Sequence, residues 1–179
     1  MILTERQNDA LKELINIAFA RTGSSLSELS GHRVLLDPPT IGIFPIDELP
    51  TVLRVFLRDE IASVHQIFSG PVSGDALLLM DYEGAVKLTE TLAEGGSQSP
   101  RLDAAAREIV TEVGNILLNA CLGTFGNLLH VQVSFSLPRL HLESLDALMR
   151  SISIGVDELR YAVVASTAFR IMEGAVTGY

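Results

Sequence analysis

The chain has 179 residues and a formal net charge of −9, with 13 Lys and Arg against 22 Asp and Glu. That balance, without any Lys/Arg cluster, argues against a nucleic-acid or anionic-membrane surface. The lone Cys121 cannot form an internal disulfide and fits a buried structural thiol in a reducing, cytoplasmic compartment.

At 19.3 kDa the default is one domain over residues 1–179, large enough for a substantial core. Mean hydropathy is +0.34. The longest unbroken apolar run, Ala76–Met80, is far too short to span a bilayer, so no membrane insertion is expected. The start, Met1-Ile-Leu-Thr-Glu5, carries no basic, signal-like region. His32, His65, His130 and His141 show no ligand spacing, and no metal site is expected on them.

Residues 4–29 are predicted helical, with Thr4 as N-cap and Gln7 three residues on, as in a capping box. Gly23-Ser-Ser marks a bend or a restart, and Gly31 closes the segment. His32–Asp37 reads as a strand broken by Pro38-Pro39, and Thr40–Phe44 as another. Pro45–Pro50 is expected as a loop or short turn, and Val52–Ser69 as one long strand or two. A turn over Gly70–Gly74 leads to a buried strand, Asp75–Met80, and a helix, Tyr82–Leu92. Gly95-Gly-Ser-Gln-Ser-Pro100 is a linker near the midpoint, separating half 1 (about 1–94) from half 2 (about 101–179). The plan then repeats: helix Leu102–Thr124, strand Leu128–Leu137, short helix Glu143–Met149, and strands near Ser151–Val156 and Leu159–Ile171.

The repeat is sharpest in one stretch. Asp9-Ala-Leu-Lys-Glu13-Leu-Ile-Asn16 is followed by Pro39, and Glu108-Ile-Val-Thr-Glu112-Val-Gly-Asn115 by Pro138. Glu, Asn and Pro in the second copy each lie 99 residues after their counterparts. Such a triple arises by chance at roughly one position in ten thousand, so two copies at one offset point to a duplicated unit. Ile67–Gly74 and Ile171–Gly178 are a weaker second match, and the chain stops at Tyr179 before a counterpart of Asp75–Met80.

At about 100° per residue, Asp9, Glu13 and Asn16 share an arc of about 60° on a helix. Leu11, Leu14, Ile15 and Ala18 lie opposite, and Ile109, Val110, Val113 and Leu117 form the matching stripe in the second copy. A carboxylate and a carboxamide are thus offered to solvent twice. Phosphate loops, Ser-His-Asp sets and Cys-His pairs with a nucleophile context are not found.

These residues resemble the CheC/CheX/FliY class of chemotaxis phosphatases, most closely CheC, through Asp/Ser-x3-Glu-x2-Asn-x22-Pro occurring twice. Glu108 stands where the pattern has Asp or Ser, and Ile15 where Gly is common, as at Gly114. The resemblance implies hydrolysis of the aspartyl phosphate of a CheY-like receiver, with Glu13, Asn16, Glu112 and Asn115 as catalytic residues. It implies no cofactor bound by this chain, Mg²⁺ in the partner receiver, and partnership with a CheD-like deamidase. The fold it implies is α/β (α+β), an internal duplication with two pseudo-symmetric halves. The sheet is then largely antiparallel, with the two long motif helices on one face.

Asn can hold a water in line with phosphorus while touching a phosphoryl oxygen. Glu suits a cation of the partner, which the resemblance identifies as the receiver's lysine. Pro39 and Pro138 are either strand terminators or shapers of the docking surface. Asp9 is either a support one turn from the site or a solvated carboxylate. The second copy is expected to be the stronger, because slim Gly114 beside Asn115 would let a partner's backbone come close. An adaptor that binds receivers without hydrolysis is the alternative, and a metal site shared by Glu13 and Glu112 is a third reading.

Overall fold

The computed structural model describes residues 4–31, 33–92, 101–154, 161–171 and 174–176. Two helices of 26 residues dominate it, α1 (Glu5–Ser30) and α4 (Ala104–Leu129), and both their ends are 99 residues apart. Thr4 caps α1 with the reciprocal bonds of a capping box to Gln7, and Gly31 ends it at φ +67°. Asp103 caps α4 through the Ala106 amide, and His130 ends it in the left-handed region.

The bend expected at Gly23-Ser-Ser does not occur. Gly23 is buried against Val34 O and Leu36, and the Ser27 hydroxyl bonds back to the Gly23 carbonyl at 2.7 Å. A glycine that looks like a breaker in sequence is here a point of close approach between α1 and a strand.

The strands are β1 (Val34–Leu36), β2 (Thr40–Pro45), β3 (Glu60–Ser69), β4 (Gly74–Asp81), β5 (Ser134–Phe135), β6 (Arg139–Ser144), β7 (Tyr161–Ser166), β8 (Phe169–Ile171) and β9 (Gly174–Val176). Shorter helices are α2 (Leu49–Leu53), α3 (Tyr82–Leu92) and α5 (Leu145–Ile154). Among the described residues every strand pairing is antiparallel, so the mixed helix-and-sheet class expected from the sequence is the one observed.

Four element expectations differ. Residues 52–69 hold the end of α2 and then β3, because Pro50 suits the first turn of a helix and Leu49 and Leu53 bury one face. The strand expected over Leu128–Leu137 shrinks to Ser134–Phe135, since α4 runs on to Leu129. The strand near Ser151–Val156 is instead the end of α5 as far as it is described, with Leu145, Leu148, Met149 and Ile152 at helical spacing against one core. Leu159–Ile171 is broken between β7 and β8, where the Thr167 hydroxyl donates to Asp37 O at 2.6 Å. The linker 95–100 and the final residues 177–179 lie outside the described residues.

Strand partners are exchanged between the halves. β2 pairs with β7, and β6 pairs with β3. The registers correspond: Thr40 faces Ser166 as Arg139 faces His65, and Pro45 faces Tyr161 as Ser144 faces Glu60. In both cases the first members differ by 99 and the second by 101. The pairs Leu35–Arg170 and Ser134–Ser69 keep the same two offsets. Helices α1 and α4 meet at Thr22 and Cys121, whose side chains are 3.9 Å apart and whose positions differ by 99. Contact between equivalent positions is what a local two-fold axis through the helix pair would produce.

Two cores fill the domain. One lies under α4, where Val110, Val113 and Leu117 pack with Ala62, Val64 and Met80 of the sheet. Burying each such aliphatic chain stabilises the fold by about 1.5–3 kcal/mol. The other joins α2 and α5 through Leu49, Leu53, Leu145 and Leu148. Among the described residues, α4 alone is long and apolar enough to cross a membrane; here its apolar stripe faces the sheet.

Candidate functional site

On α4 the stripe Val110–Val113–Leu117 turns inward, which leaves Glu108 and Glu112 exposed and Asn115 half-buried on the outer side. Asn115 Nδ2 lies 3.5 Å from Glu112 Oε2, the outer limit of a hydrogen bond, so the pair is adjacent without being locked. The firm contact is on the other side of the carboxamide: Asn119 Nδ2 donates to Asn115 Oδ1 at 2.7 Å.

Behind Asn119 stands Gln66 of β3, 2% exposed. Its Nε2 donates to Asn119 Oδ1 at 3.2 Å and to Ser136 O at 2.9 Å. Gln66 Oε1 has no partner among the described residues, a desolvation cost of about 1–3 kcal/mol accepted at this spot. Ser136 is itself clamped to Ile67, whose amide donates to Ser136 Oγ and whose carbonyl accepts from the Ser136 amide, each at 2.9 Å. Two residues on is Pro138. The structure therefore joins Glu112, Asn115 and the segment leading to Pro138 in one patch through Asn119 and Gln66.

On α1 the apolar side is Ile15 and Ala18, 4% and 0% exposed, and Asp9, Glu13 and Asn16 all face solvent. Among the described residues Asn16 makes no side-chain hydrogen bond, and position 20, which answers to Asn119, is Ala20. Pro39 is half-buried, two residues after Asp37, whose carbonyl is held by Thr167. Each Asn sits six residues before the Thr22–Cys121 contact, about 9 Å along its own helix.

No protein-family model matches the chain. Among curated proteins it is similar to the CheY-P phosphatase CheC of Bacillus subtilis, 24% identical over 181 residues, taking in 93% of this chain and 81% of that protein. It is also similar to the flagellar motor switch phosphatase FliY of the same species, 20% identical over 142 residues. That match takes in 78% of this chain but 36% of the relative, so the chain spans about a third of that FliY. Thermotoga maritima FliY has the same fold, with a TM-score of 0.80 at 20% identity over 99% of this chain and 89% of that one. The FliM middle domain of Vibrio alginolyticus follows at 0.63 and 18%, over 93% and 89%. In sequence and in fold the chain is similar to CheC and FliY.

One sequence expectation is overturned. Gly114 does not open the surface beside Asn115; it is buried, and a Cβ there would meet Val64 Cγ1 at 2.5 Å. Its counterpart Ile15 is buried as well, so neither residue lies between its Asn and a partner. Gly114 is needed for the close approach of α4 to β3 instead.

Cys121 is half-buried at the helix contact, and burial pushes its thiol up to about 11 against a small opposing effect of the Thr22 hydroxyl. A thiol held protonated is no nucleophile near neutral pH. Among the described residues no group of three or more His, Cys, Asp or Glu is placed to hold a metal ion. Sequence reasoning missed Asn119 and Gln66. Asn119 could have been found, since it lies four residues after Asn115 and seven after Glu112 on one helix face. Gln66, on a strand 53 residues away, could not.

Proposed function

We propose that this chain hydrolyses the aspartyl phosphate of a CheY-like receiver, at two sites, one on α1 and one on α4. The observation that carries the reading is the Glu112–Asn115 pair on an open helix face, with its Asn carboxamide held from behind. Likeness to CheC, a CheY-P phosphatase, over 93% of the chain supports it.

An acyl phosphate is labile, so assistance consists of positioning and charge stabilisation. With one lone pair of Oδ1 on Asn119, the other is available to a water hydrogen, while an Nδ2 hydrogen is available to a phosphoryl oxygen. The water is thereby aligned opposite the leaving carboxylate. Such alignment is worth two or three powers of ten, about 3–4 kcal/mol. Glu112 and Glu13, both exposed, repel the phosphoryl group and pair instead with the receiver's lysine. Mg²⁺ belongs to the receiver in this reading, and the setting is the cytoplasm. A CheD-like deamidase is a further partner that the family resemblance implies.

The second reading is an adaptor that binds receivers without hydrolysis, favoured by the shared fold with FliM middle domains. Phosphate release from a phosphorylated receiver, with and without this chain, separates the two. Acceleration upholds the phosphatase; receiver binding with unchanged release establishes the adaptor.

A further inference from the structure

The orientation of Asn115 can be traced to a backbone carbonyl. Ser136 O can only accept, so Gln66 must face it with Nε2. The second Nε2 hydrogen goes to Asn119, which must then present Oδ1. Asn119 is left to donate from Nδ2 and does so to Asn115 Oδ1. Each carboxamide bars the next from flipping. Asn115 ends with Nδ2 turned toward Glu112 and one Oδ1 lone pair free.

The α1 site lacks this series. Thr167 follows Ser166, the partner of Thr40, as Gln66 follows His65, the partner of Arg139, so the two positions keep the 101-residue offset of the register. Thr167 and Gln66 hold matching carbonyls, Asp37 O and Ser136 O, two residues before Pro39 and Pro138. Thr167 has one hydroxyl hydrogen, which Asp37 O takes, whereas Gln66 has a second N–H for the helix. On the helix, Ala20 offers nothing to receive or pass on.

We propose that Asn119, anchored by Gln66, is a positioning residue that fixes the Asn115 carboxamide and makes the α4 site the faster of the two. This rests on the phosphatase reading above. A freely turning amide presents either end to the water and the phosphoryl group; a held one presents the productive end continuously. The gain falls on turnover, because receiver docking does not involve Asn119.

The test uses the full chain carrying Asn16→Ala, so that only the α4 site turns over, with Asn119→Ala or Asn119→Asp added. Asp matches Asn in size and still accepts from Gln66, but it cannot donate to Asn115. With a receiver phosphorylated by acetyl phosphate, kcat is expected to fall about tenfold in both variants while KM changes less than about twofold. Adding Asn119→Ala to Asn115→Ala should cost nothing more. A raised KM with intact kcat, or full kcat in Asn119→Asp, overturns the proposal. The NMR signals of the Asn115 side-chain amide supply a readout that needs no turnover. They should stand apart from free-amide positions in the parent and move to them in Asn119→Ala. Signals already at free-amide positions in the parent overturn the positioning role. Displaced signals that relax on substitution, in a protein that releases no phosphate, uphold the orientation and sink the phosphatase reading instead.

Discussion

The helix faces of α1 and α4 carry the same Glu-x2-Asn, yet they are built to different standards. Asn16 is exposed, with no side-chain hydrogen bond among the described residues, on a helix whose inner residue is the bulky Ile15. Asn115 is half-buried, bonded at 2.7 Å, and carried on a helix that Gly114 allows to sit directly on Val64. A repeated motif therefore specifies which groups lie on the outer face of each helix, while the layer beneath it decides how firmly they are held. Two copies of a motif need not make two equal sites.

The largest effect that would test this comparison is loss of both carboxamides. Asn16→Ala with Asn115→Ala should reduce assisted phosphate release by two to three powers of ten, about 3–4 kcal/mol, with receiver binding retained. Of the single variants, Asn115→Ala should lose the larger share. Thermal melts should show Asn16→Ala at or slightly above the parent, since an exposed Asn gains helix propensity on becoming Ala. Asn115→Ala should melt lower, because Asn119 loses its acceptor. Equal activity in the two singles would erase the distinction between the halves.

Next comes the layer beneath. Gly114→Ala should destabilise the fold by about 1–3 kcal/mol, read by denaturant unfolding, because its Cβ would overlap Val64. Val64→Ala in the same chain should recover part of that loss by restoring room. An unchanged midpoint for Gly114→Ala would mean that α4 is free to shift off β3.

A smaller effect belongs to charge. Glu13→Gln with Glu112→Gln should weaken receiver engagement about two- to fivefold per site at low salt, with the difference shrinking as salt rises. Titrations of receiver affinity across salt would show it. Salt-independent affinity in the double variant would remove the docking role from both Glu residues.

The smallest concerns the helix contact, where Thr22 faces Cys121. With the folded thiol at about 11 and its ordinary value at 9.0, the thiolate fraction at pH 8 is lower by about a hundredfold, and alkylation should be slow in proportion. The folded pKa is raised, so the unfolded chain loses this proton first. The stability that the protonated thiol contributes is complete below pH 9.0 and is lost as pH rises toward about 11. Rapid alkylation of the folded chain at pH 8 would contradict a closed helix contact.

Much of this was legible in the sequence. Caps, periodicity and the 99-residue offset placed both long helices and the outward face of each motif, because those depend on local spacing. Tyr82–Leu92 was read with both bounds correct for the same reason. What was hidden depends on contacts between distant segments. Gly23 and Gly114 looked like a break and an opening, but strands and side chains that approach them from elsewhere make them points of contact. Gln66 alternates correctly on an inward strand face and gives no local sign that it reaches Asn119. The end of α5 is locally ambiguous, since Ile152 and Ile154 favour a strand, and the packing of Leu148 and Met149 sets a helical period instead.

The exchange of strands between the halves has a consequence for how the chain reaches this state. β2 finds its partner β7 more than a hundred residues away, and β3 joins β6 across the midpoint. Neither half can complete its own sheet, so neither is a free-standing folding unit despite the repeated plan. Such distant pairings make for slow folding, since loop closure must precede most of the reward. A chain cut within residues 93–100 would yield two fragments that are each incomplete alone and that supply each other's missing strands on mixing. The two halves are thus mutually dependent: each holds strands that the other needs, and neither sheet closes without both.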